Sequence, residues 1–516
     1  MPDSRAVADA IAGALGRAGT RSLFGVPGGG TNLDLIGACE ARGIGFVLCH
    51  GEAAGAIMAA TTAELSGVPG ASVATRGPGA ASAVNGVAHA LLDRLPMVLV
   101  TDALALADRP RISHQRLDHA SVFRDVTRAS IAIGVDGAVE TAERALAIAV
   151  GVPPGPVHLD VIVDAPRAVV QVPGAERAIA RTAVEPVVER LAAARRPVVL
   201  VGGGARAHAA ALSLLLAGTW IPALATYKAK GLLPPANDAG LLTGGTAERP
   251  LLEAADLIVA IGVDPVELIP AAWPYAATVV TISEWPISEP YLGAALELVG
   301  PLDDALAGMQ LDGSGWDVAP AAWKAGTLER IAVVVDGLDP RAVIRAVAEA
   351  NPGALATVDA GAHMLVAMPH WPGRALISSG LATMGFALPA AIAAAHETGR
   401  RVVCLTGDGG LGMCLAELET AARLAVPVTV VVLNDAALSL IAIKQRSTGH
   451  GGPGAVRHRA VDFARVAEGF GIASSRAASL AAVERALADA PRTGPFLLDA
   501  VVDPSGYAAV LAGTRG

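Results

Sequence analysis

Short apolar segments alternate with alanine-rich segments along almost the whole chain, and this alternation limits the possible folds more than any other feature. Parallel β-strands that are buried on both faces have continuous apolar sequences, and the helices that connect them need a dozen or more residues. The sequence therefore predicts an α/β protein with doubly wound parallel sheets. Apolar segments of this kind are Ala71–Thr75, Pro96–Thr101, Pro197–Val201, Leu257–Ile261 and Val428–Leu433.

A repeated segment indicates how these units are organised. The sequence Gly-Pro-Val-His-Leu-Asp-Val-Ile-Val-Asp at Gly155–Asp164 returns near the other end of the chain as Gly-Pro-Phe-Leu-Leu-Asp-Ala-Val-Val-Asp at Gly494–Asp503. Each copy is predicted to be the last strand of an α/β unit, so the two outer domains are expected to be related. At about 150 residues per domain, the 516 residues leave room for a third domain between them.

Two stretches mark the predicted domain boundaries, of which the first is irregular and the second contains glycine, aspartate and proline. The first is Ala165–Glu185, which contains Pro166 and Pro173. The second is Gly313–Asp339, which precedes a predicted helix at Arg341–Ala350. We therefore predict domains at residues 1–166, 184–312 and 338–516.

Composition argues against several classes of protein. The chain has 39 basic and 48 acidic residues without a block of like charges, which argues against nucleic-acid binding. No apolar stretch reaches the roughly 18 residues of a membrane span, and the N-terminus has no recognisable signal peptide. The four cysteines form no Cys-x-x-Cys pair, which argues against a disulfide framework or a zinc site. We expect a cytoplasmic protein with reduced thiols and no membrane contact.

The strongest local motif follows the apolar run Val402–Thr406. The sequence Gly-Asp-Gly-Gly at Gly407–Gly410 predicts a tight turn at the start of a helix, where free backbone N–H groups favour phosphate. Asn434 ends the next predicted strand, and oxygen ligands from Asp408 and Asn434 suit a Mg²⁺ ion that bridges a diphosphate. Alternatively, Asp408 only caps a helix and Asn434 only closes a strand. Because the two motifs occur together, we favour the metal site.

A second motif is Cys49-His-Gly-Glu52, which leads into an alanine-rich helical segment. A glutamate at a helix N-terminus usually only stabilises the helix dipole. The alternative is that Glu52 is a desolvated carboxylate poised to share a proton, and the sequence does not separate these two roles. His50 is interpreted as a packing or capping residue, because no metal-ligand spacing surrounds it.

Three glycine-rich loops allow the backbone to approach a ligand or a neighbouring helix closely. They are Gly25–Gly30, Thr75–Gly79 and Gly202–Gly204. The third follows a predicted strand, but it lacks the G-x-G-x-x-G spacing, and no clear acidic residue ends a following strand. A nicotinamide-dependent dehydrogenase is therefore the least favoured interpretation.

With these motifs in view, the chain resembles the thiamine-diphosphate enzymes of the acetolactate synthase type over nearly its full length. Gly407-Asp-Gly with Asn434 is similar to their cofactor motif, and Glu52 falls where they carry a glutamate that contacts the aminopyrimidine ring. Gly77–Ala80 and Thr383–Ala390 match further family segments. The resemblance implies pyrimidine-binding, central and diphosphate-binding domains, of which the outer two are related.

Within that family the chain is most similar to the FAD-independent, catabolic acetolactate synthases. Three segments carry this similarity: His114–Asp118, Gly262–Glu267 and Glu417–Leu424. The biosynthetic branch has an Arg-Phe-Asp-Asp-Arg segment where this chain has Val263–Glu267, which argues against FAD. Related decarboxylases carry an aspartate where Gly29 stands, and they use a paired histidine that this chain lacks, so a simple decarboxylase is less favoured.

The resemblance also assigns roles to residues of the site. Glu52 is expected to hydrogen-bond the pyrimidine ring, and Met384 to hold the two cofactor rings in a bent conformation. Gln115 is the candidate for a polar contact to the bound intermediate, and His114 is a weaker candidate for proton transfer. The expected Mg²⁺ ligands are Asp408, Asn434 and the carbonyl of Ala436. The cofactor-binding set also includes Gly28, Gly29, Gly77, Gly407, Gly409 and Gly410.

The expected reaction is decarboxylation of a pyruvate-like 2-oxo acid and ligation of the product to a second 2-oxo acid. The alternatives are a decarboxylase or acyloin-forming lyase that acts on a bulkier 2-oxo acid, and a homologue without catalytic activity. In the family, Glu52 and the Mg²⁺ site face each other across two chains. The resemblance therefore implies a homodimer or homotetramer with its active site at the subunit interface.

Overall fold

The computed structural model describes residues 2–168, 185–268, 273–287, 291–307, 309–313 and 315–515. These residues form three six-stranded sheets in which all paired strands are parallel, with helices between the strands. The expected α/β architecture with three parallel sheets is confirmed. Each apolar run named above forms a strand, because a run of branched apolar side chains fits a sheet that is covered on both faces.

The N-terminal sheet uses the first six strands and six helices. Its strands are β1 (Ser22–Val26), β2 (Gly45–Leu48), β3 (Gly70–Ala74), β4 (Met97–Asp102), β5 (Ala129–Ile133) and β6 (Pro156–Val161). Its helices are α1 (Pro2–Ala18), α2 (Thr31–Glu40), α3 (Glu52–Ser66), α4 (Pro78–Leu92), α5 (His119–Phe123) and α6 (Ala138–Val150).

The central sheet lies between the other two in the chain. Its strands are β7 (Pro197–Val201), β8 (Ala223–Ala225), β9 (Asp238–Leu241), β10 (Leu257–Ile261), β11 (Thr278–Ser283) and β12 (Leu296–Val299). The helices of this part are α7 (Glu185–Ala193), α8 (Ala209–Leu216), α9 (Arg249–Ala254), α10 (Leu302–Ala307) and α11 (Pro320–Arg330), with short 3₁₀ helices at Gly203–His208 and Pro265–Glu267.

The C-terminal sheet carries the longest buried strands. Its strands are β13 (Leu355–Val358), β14 (Ala375–Ile377), β15 (Val402–Gly407), β16 (Val428–Asn434), β17 (Ala473–Ala477) and β18 (Phe496–Val501). Its helices are α12 (Pro340–Ala350), α13 (Ala362–His370), α14 (Ala387–Thr398), α15 (Asp408–Met413), α16 (Glu417–Arg423), α17 (Ser439–Thr448), α18 (Phe463–Gly469), α19 (Leu480–Ala488) and α20 (Tyr507–Arg515), with 3₁₀ turns at Pro453–Ala455 and Pro504–Gly506.

The strand orders show that the outer two sheets are related. The N-terminal order is β2-β1-β3-β4-β6-β5, and the C-terminal order β14-β13-β15-β16-β18-β17 is the same pattern. The repeated segment forms β6 in the first sheet and β18 in the third, at equivalent places, and each is the last strand of its sheet along the chain. The central sheet differs, with the order β12-β11-β10-β7-β8-β9.

The two domain boundaries stay predictions. Most of Ala165–Glu185 falls on residues 169–184, which lie outside the described residues. The stretch Gly313–Asp339, near which the second boundary is predicted, contains the eleven-residue helix α11. Pro320 stands in the first turn of that helix, where proline is tolerated, and an alanine-rich segment follows. The helix packs against β9.

Buried charges join the three parts of the fold. The Lys228 ammonium, next to the central sheet, donates to both carboxylate oxygens of Glu64 on α3 at 3.1 Å. It also donates to Asp93, at the end of α4, at 2.8 Å. The other oxygen of Asp93 accepts the backbone N–H of Gly380 in the C-terminal part at 2.8 Å. This junction therefore ties α3 and α4 to both other domains.

Glu64 shows how strongly these charges interact. Burial by itself raises the pKa of Glu64, but the positive charges of Arg206, Lys228 and Arg374 outweigh it and lower the pKa to about 2. Arg206 also forms an ion pair with Glu64 at 2.7 Å. Glu64 therefore stays ionised in the folded protein and needs its cationic partners.

We predict that Lys228→Met destabilises the protein by about 3–5 kcal/mol, because it leaves two buried carboxylates with less positive charge around them. The measurement is thermal and urea unfolding of the full chain. Lys444→Met is the matched control, since Lys444 is exposed on α17. Equal melting temperatures for the two variants would contradict this account.

Candidate active site

The carboxyl ends of β15 and β16 bring Asp408 next to Asn434. In the parallel pairing of these strands Gly407 lies opposite Leu433, so the two residues that follow leave the same edge of the sheet. Both side chains are buried, with exposed fractions of 8% for Asp408 and 4% for Asn434. The sequence predicted this juxtaposition, and the register of the two strands produces it.

The Asn434 amide has a fixed orientation. Its nitrogen donates to an oxygen of Asp499 at 2.9 Å and to the carbonyl of Val461 at 3.0 Å. Its oxygen accepts only a long hydrogen bond, 3.4 Å, from the N–H of Ala436. The amide oxygen is therefore the group that Asn434 presents to a ligand.

Asp408 carries an unused acceptor. Its Oδ2 is buried and has no hydrogen-bond partner among the described residues. Burial, with a contribution from the nearby negative charge of Asp435, raises the pKa of Asp408 to about 6. A desolvated carboxylate beside a second carboxylate and an amide oxygen is a donor set that fits a hard divalent cation such as Mg²⁺. Ala436, the third predicted ligand, has φ +55°, and its carbonyl accepts the N–H of His458 at 2.9 Å.

Met384 lies against the glycine-rich turn. A Cβ atom added to Gly409 would lie 3.3 Å from Met384 Cε and 2.7 Å from Leu438 Cδ2. The turn therefore leaves little space for a side chain at this position, and the thioether of Met384 packs over it. The structure thus brings Met384, Gly409 and Asp408 together, as the sequence predicted.

Asp359 holds this arrangement, and the sequence analysis missed it. Its carboxylate accepts the hydroxyl of Thr406 at 2.9 Å and the N–H groups of Gly385 and Phe386 at 3.2 and 3.1 Å. Burial raises its pKa to about 6 despite these bonds. Asp359 therefore links the end of β15 to the loop that carries Met384. The sequence pattern could have indicated Asp359, since it follows an apolar run just as Asp408 does.

His363 is a second residue that the sequence analysis missed. A Cβ atom on Gly407 would lie 3.0 Å from its Nδ1, so the ring covers the start of the turn. Its Nε2 is buried without a partner in the described part of the chain. Burial lowers the pKa of His363 to about 4, which keeps the ring neutral near pH 7. A neutral ring that carries its proton on Nε2 can donate to a phosphate oxygen. A single histidine in an apolar helical segment does not predict this position over the turn.

A separate group of residues forms around Glu52. Glu52 begins α3, and a Cβ atom on Gly79 would lie 3.1 Å from its Oε1. Gly77 has φ +67°, and a Cβ atom there would lie 3.0 Å from the carbonyl oxygen of Gln115. Gln115 itself has φ +55°. The structure therefore brings Glu52, Gln115 and the loop at Gly77–Gly79 together.

The remaining predicted residues of this group differ in their surroundings. The Gly28 N–H donates to Asn32 at 2.7 Å, and a Cβ atom on Gly28 would overlap the hydroxyl of Thr75. Gly29 has open space around it. His114 is exposed and makes no hydrogen bond within the part of the chain that the structure describes, so a single chain does not place it against Glu52.

A buried network below Gly77 fixes its position. The Gly77 N–H donates to Nε2 of His119 at 3.2 Å, so His119 carries its proton on Nδ1, which contacts an oxygen of Asp160 at 3.0 Å. The hydroxyl of Thr101 donates to the same oxygen at 2.7 Å and contacts Nε2 of His158 at 2.7 Å. Asp160 lies in the repeated segment. This network could not be predicted from the sequence, because its members come from three distant segments of the chain.

The segment before Glu52 contacts helix α16 of the same chain. The N–H groups of His50 and Gly51 donate to one oxygen of Glu417 at 2.9 and 3.0 Å, and the His50 ring contacts Glu419 at 2.8 Å. Among the described residues, no hydrogen bond or ion pair joins Glu52 to Asp408. We call the groups around these two residues the Glu52 half-site and the Asp408 half-site.

Exposed apolar side chains lie beside both half-sites. Leu48, just before the Glu52 segment, is 43% exposed, and Met413, at the end of α15, is 63% exposed. Large apolar side chains at such places are typical of surfaces that another chain covers.

The glycine loop of the central sheet is occupied by the chain itself. The N–H of Gly203 donates to both oxygens of Glu267 at 3.0 Å, and the hydroxyl of Thr226 and the N–H of Asp264 also donate to this carboxylate. Burial raises the pKa of Glu267 from its ordinary value of 4.5 to about 7. The backbone donor that a bound phosphate would use is thus already bonded to a carboxylate of this chain.

No helix in the described part of the chain has both the length and the apolar character that a membrane span requires.

Three family models match successive parts of the chain. The N-terminal TPP binding domain of thiamine pyrophosphate enzymes matches residues 5–122, and the central domain of the same enzymes matches residues 184–309. The C-terminal TPP binding domain matches residues 359–500. Thiamine pyrophosphate is another name for thiamine diphosphate. The Glu52 half-site lies within the first match and the Asp408 half-site within the third.

Individual relatives match over nearly their whole length. An acetolactate synthase of Bacillus subtilis (strain 168) is 28% identical, over 96% of this chain and 93% of the relative. A catabolic acetolactate synthase of Raoultella terrigena is 30% identical, over 96% and 95%. The acetolactate synthase isozyme 1 large subunit of Escherichia coli (strain K12) is 26% identical, over 94% and 92%.

The raised pKa of Glu267 predicts how stability depends on pH. As pH rises above about 4.5, Glu267 loses its proton in the unfolded chain but keeps it in the folded chain up to about pH 7. The wild-type protein should therefore lose stability relative to Glu267→Gln as pH rises from 5 to 8. Melting temperatures of both proteins across this range test the prediction, and a pH-independent difference would contradict it.

Proposed function

The chain belongs to the thiamine pyrophosphate enzymes of the acetolactate synthase type, and from this we propose that it decarboxylates a pyruvate-like 2-oxo acid and joins the remaining fragment to a second 2-oxo acid. The family membership confirms the resemblance found in the sequence and the class of a thiamine-diphosphate-dependent carboligase or decarboxylase. The observation that carries the specific proposal is the pair of buried oxygen donors, Asp408 and Asn434, beside a glycine turn in which a Cβ atom on Gly410 would overlap Asp359 Oδ2.

Thiamine diphosphate, when bound, supplies the electron sink that lets carbon dioxide leave a 2-oxo acid. Asp408, Asn434 and the carbonyl of Ala436 would hold a Mg²⁺ ion that bridges the diphosphate. The N–H groups of Gly409 and Gly410, at the start of α15, offer further donors to the phosphates. The unpartnered Oδ2 of Asp408 supports this proposal, because a cation removes the cost of its burial.

The Glu52 half-site would take part in proton transfer. Glu52 would hold a proton between its carboxyl oxygen and a ring nitrogen of the cofactor, in space that Gly79 leaves open. Met384, which packs over the Asp408 turn, would orient the cofactor rings by contact. Gln115 would offer its amide to the bound intermediate, and His114 would be a weaker candidate for proton transfer.

A second copy of the chain completes the site. Because no hydrogen bond or ion pair among the described residues joins Glu52 to Asp408, and the family resemblance places these two residues across two chains, we propose a homodimer or homotetramer in which each active site combines half-sites from two chains. The exposed Leu48 and Met413 beside the half-sites support this. One relative is named a large subunit, so multi-chain assembly occurs in the family. We further propose a cytoplasmic enzyme with domains at residues 1–166, 184–312 and 338–516.

The reaction is tested by incubating purified protein with thiamine diphosphate, Mg²⁺ and pyruvate and following the products by proton NMR. We expect acetolactate to form in stoichiometric balance with carbon dioxide. Acetaldehyde as the main product would contradict ligation and favour a decarboxylase. Turnover of only a bulkier 2-oxo acid would contradict the proposed substrate while retaining the cofactor assignment.

The shared site is tested with Glu52→Gln and Asp408→Asn. Each variant alone should lose activity by about 100-fold or more, because one removes the proton-holding group and the other a metal ligand. When the two variants are co-expressed with different tags and the mixed dimer is purified, one of its two sites has both residues intact. We expect about half the wild-type activity per mixed dimer.

The two controls are the single-variant dimers, purified in the same way. A mixed dimer as inactive as these controls would show that Glu52 and Asp408 act within one chain. Full turnover by Glu52→Gln would remove Glu52 from the mechanism.

A further inference from the structure

A cavity of about 540 Å³ lies between the central sheet and the C-terminal part of the fold. Its walls come from the segment after β8, from α11, and from the ends of α13 and α20. Neither half-site contributes to it, so its occupancy is independent of the proposed reaction. Most of the wall is apolar and includes Leu233, Leu241, Leu328, Ile331, Pro369 and Pro372.

Lys230 is a buried cation in this wall without a partner. The residue is 8% exposed, and within the described ranges its ammonium group makes no hydrogen bond and no ion pair. Lys228, two residues earlier, instead donates to two carboxylates. The ammonium nitrogen is not fully shielded from solvent, and Lys230 lines the cavity. The positive charge of Lys230 in this cavity is therefore not neutralised by an ion pair with any of the described residues.

The other charged groups of the cavity contact other parts of the chain. Lys324 on α11 forms an ion pair with Asp238 at 2.6 Å. Arg374 donates a long hydrogen bond of 3.5 Å to the backbone carbonyl of Glu64 and is attracted to the Glu64 carboxylate. Burial lowers the pKa of Lys230 to about 8, with a further contribution from Lys324 that Asp238 opposes. Lys230 therefore remains mostly protonated near pH 7.

We propose that this cavity binds a small aliphatic monocarboxylate, whose carboxylate pairs with Lys230 and whose hydrocarbon part lies on the apolar wall. Lys230 offers a positive charge for the carboxylate, and the apolar wall offers a surface for the hydrocarbon part. The volume lies within the range of about 300–1,000 Å³ that is typical of small-molecule sites. Since the walls come from the central sheet, α11 and the C-terminal part, an occupant contacts all three.

The chain contains only four lysines, Lys228, Lys230, Lys324 and Lys444, so the reactivity of each can be followed separately. Trace acetic anhydride is added to the wild-type enzyme across a pH series, with and without 3-methylbutanoate, and acetylation is read by peptide mass spectrometry. We expect the acid to slow acetylation of Lys230 and to shift its midpoint to higher pH, because a bound carboxylate favours the ammonium form. The exposed Lys444 should be unaffected. Unchanged acetylation of Lys230 at saturating acid would overturn the proposal.

Calorimetry gives the second measurement. The Lys230→Met variant should bind 3-methylbutanoate at least about tenfold more weakly than the wild type, as expected for loss of a charge-assisted bond. Lys444→Met is the control and should match the wild type, and 3-methylbutan-1-ol should not bind measurably to either. Lys230→Met should melt no lower than the wild type, since it removes an unpaired buried charge. Equal affinity in Lys230→Met and the control, or equal affinity for the alcohol, would overturn the proposal.

Discussion

The parallel pairing of β15 with β16 is the constraint on which the rest of the site depends. Backbone hydrogen bonds hold Gly407 opposite Leu433, and this register sends Asp408 and Asn434 out of the sheet at the same edge. A shift of one residue would turn each side chain to the other face and separate the two oxygen donors. The position of the candidate metal site is therefore set by main-chain geometry, and the neighbouring side chains refine it.

Buried carboxylates in this molecule differ in whether their oxygens have partners within the chain. Asp359 and Glu267 have their acceptors filled by N–H and hydroxyl groups of the chain, and Glu64 has Lys228 and Arg206. Asp408 lacks such partners for Oδ2 within the described residues. Since burial of an unpaired carboxylate is unfavourable, its retention supports the proposed cation site. Lys230 likewise has no ion pair among the described residues, and its charge is positive.

Much of the fold was predictable because its signals are local. Continuous apolar runs predicted strands such as β7, β10 and β16, and the repeat at β6 and β18 predicted two related sheets. The turn at Gly407–Gly410 was recognisable because a tight approach of backbone to a ligand requires glycine. Helix α11 was not predicted, since the stretch that contains it was considered only as the neighbourhood of a domain boundary.

Contacts between distant segments could not be predicted. Asp359 supports Met384 through residues more than twenty positions away, and His119 meets Gly77 and Asp160 from a different segment of the chain. The sequence could not show that Glu267 occupies the Gly203 turn, nor that the N–H groups of His50 and Gly51 donate to Glu417. Each of these contacts depends on how helices and strands pack against one another, and no local sequence motif predicts that packing.

The central claim is that this fold binds thiamine diphosphate through a divalent cation at the edge of β15 and β16. Titration calorimetry of the purified chain with thiamine diphosphate, in Mg²⁺ and again in EDTA, tests it most directly. The account predicts saturable uptake that disappears when the metal is removed. Absence of uptake with Mg²⁺ in excess would contradict it.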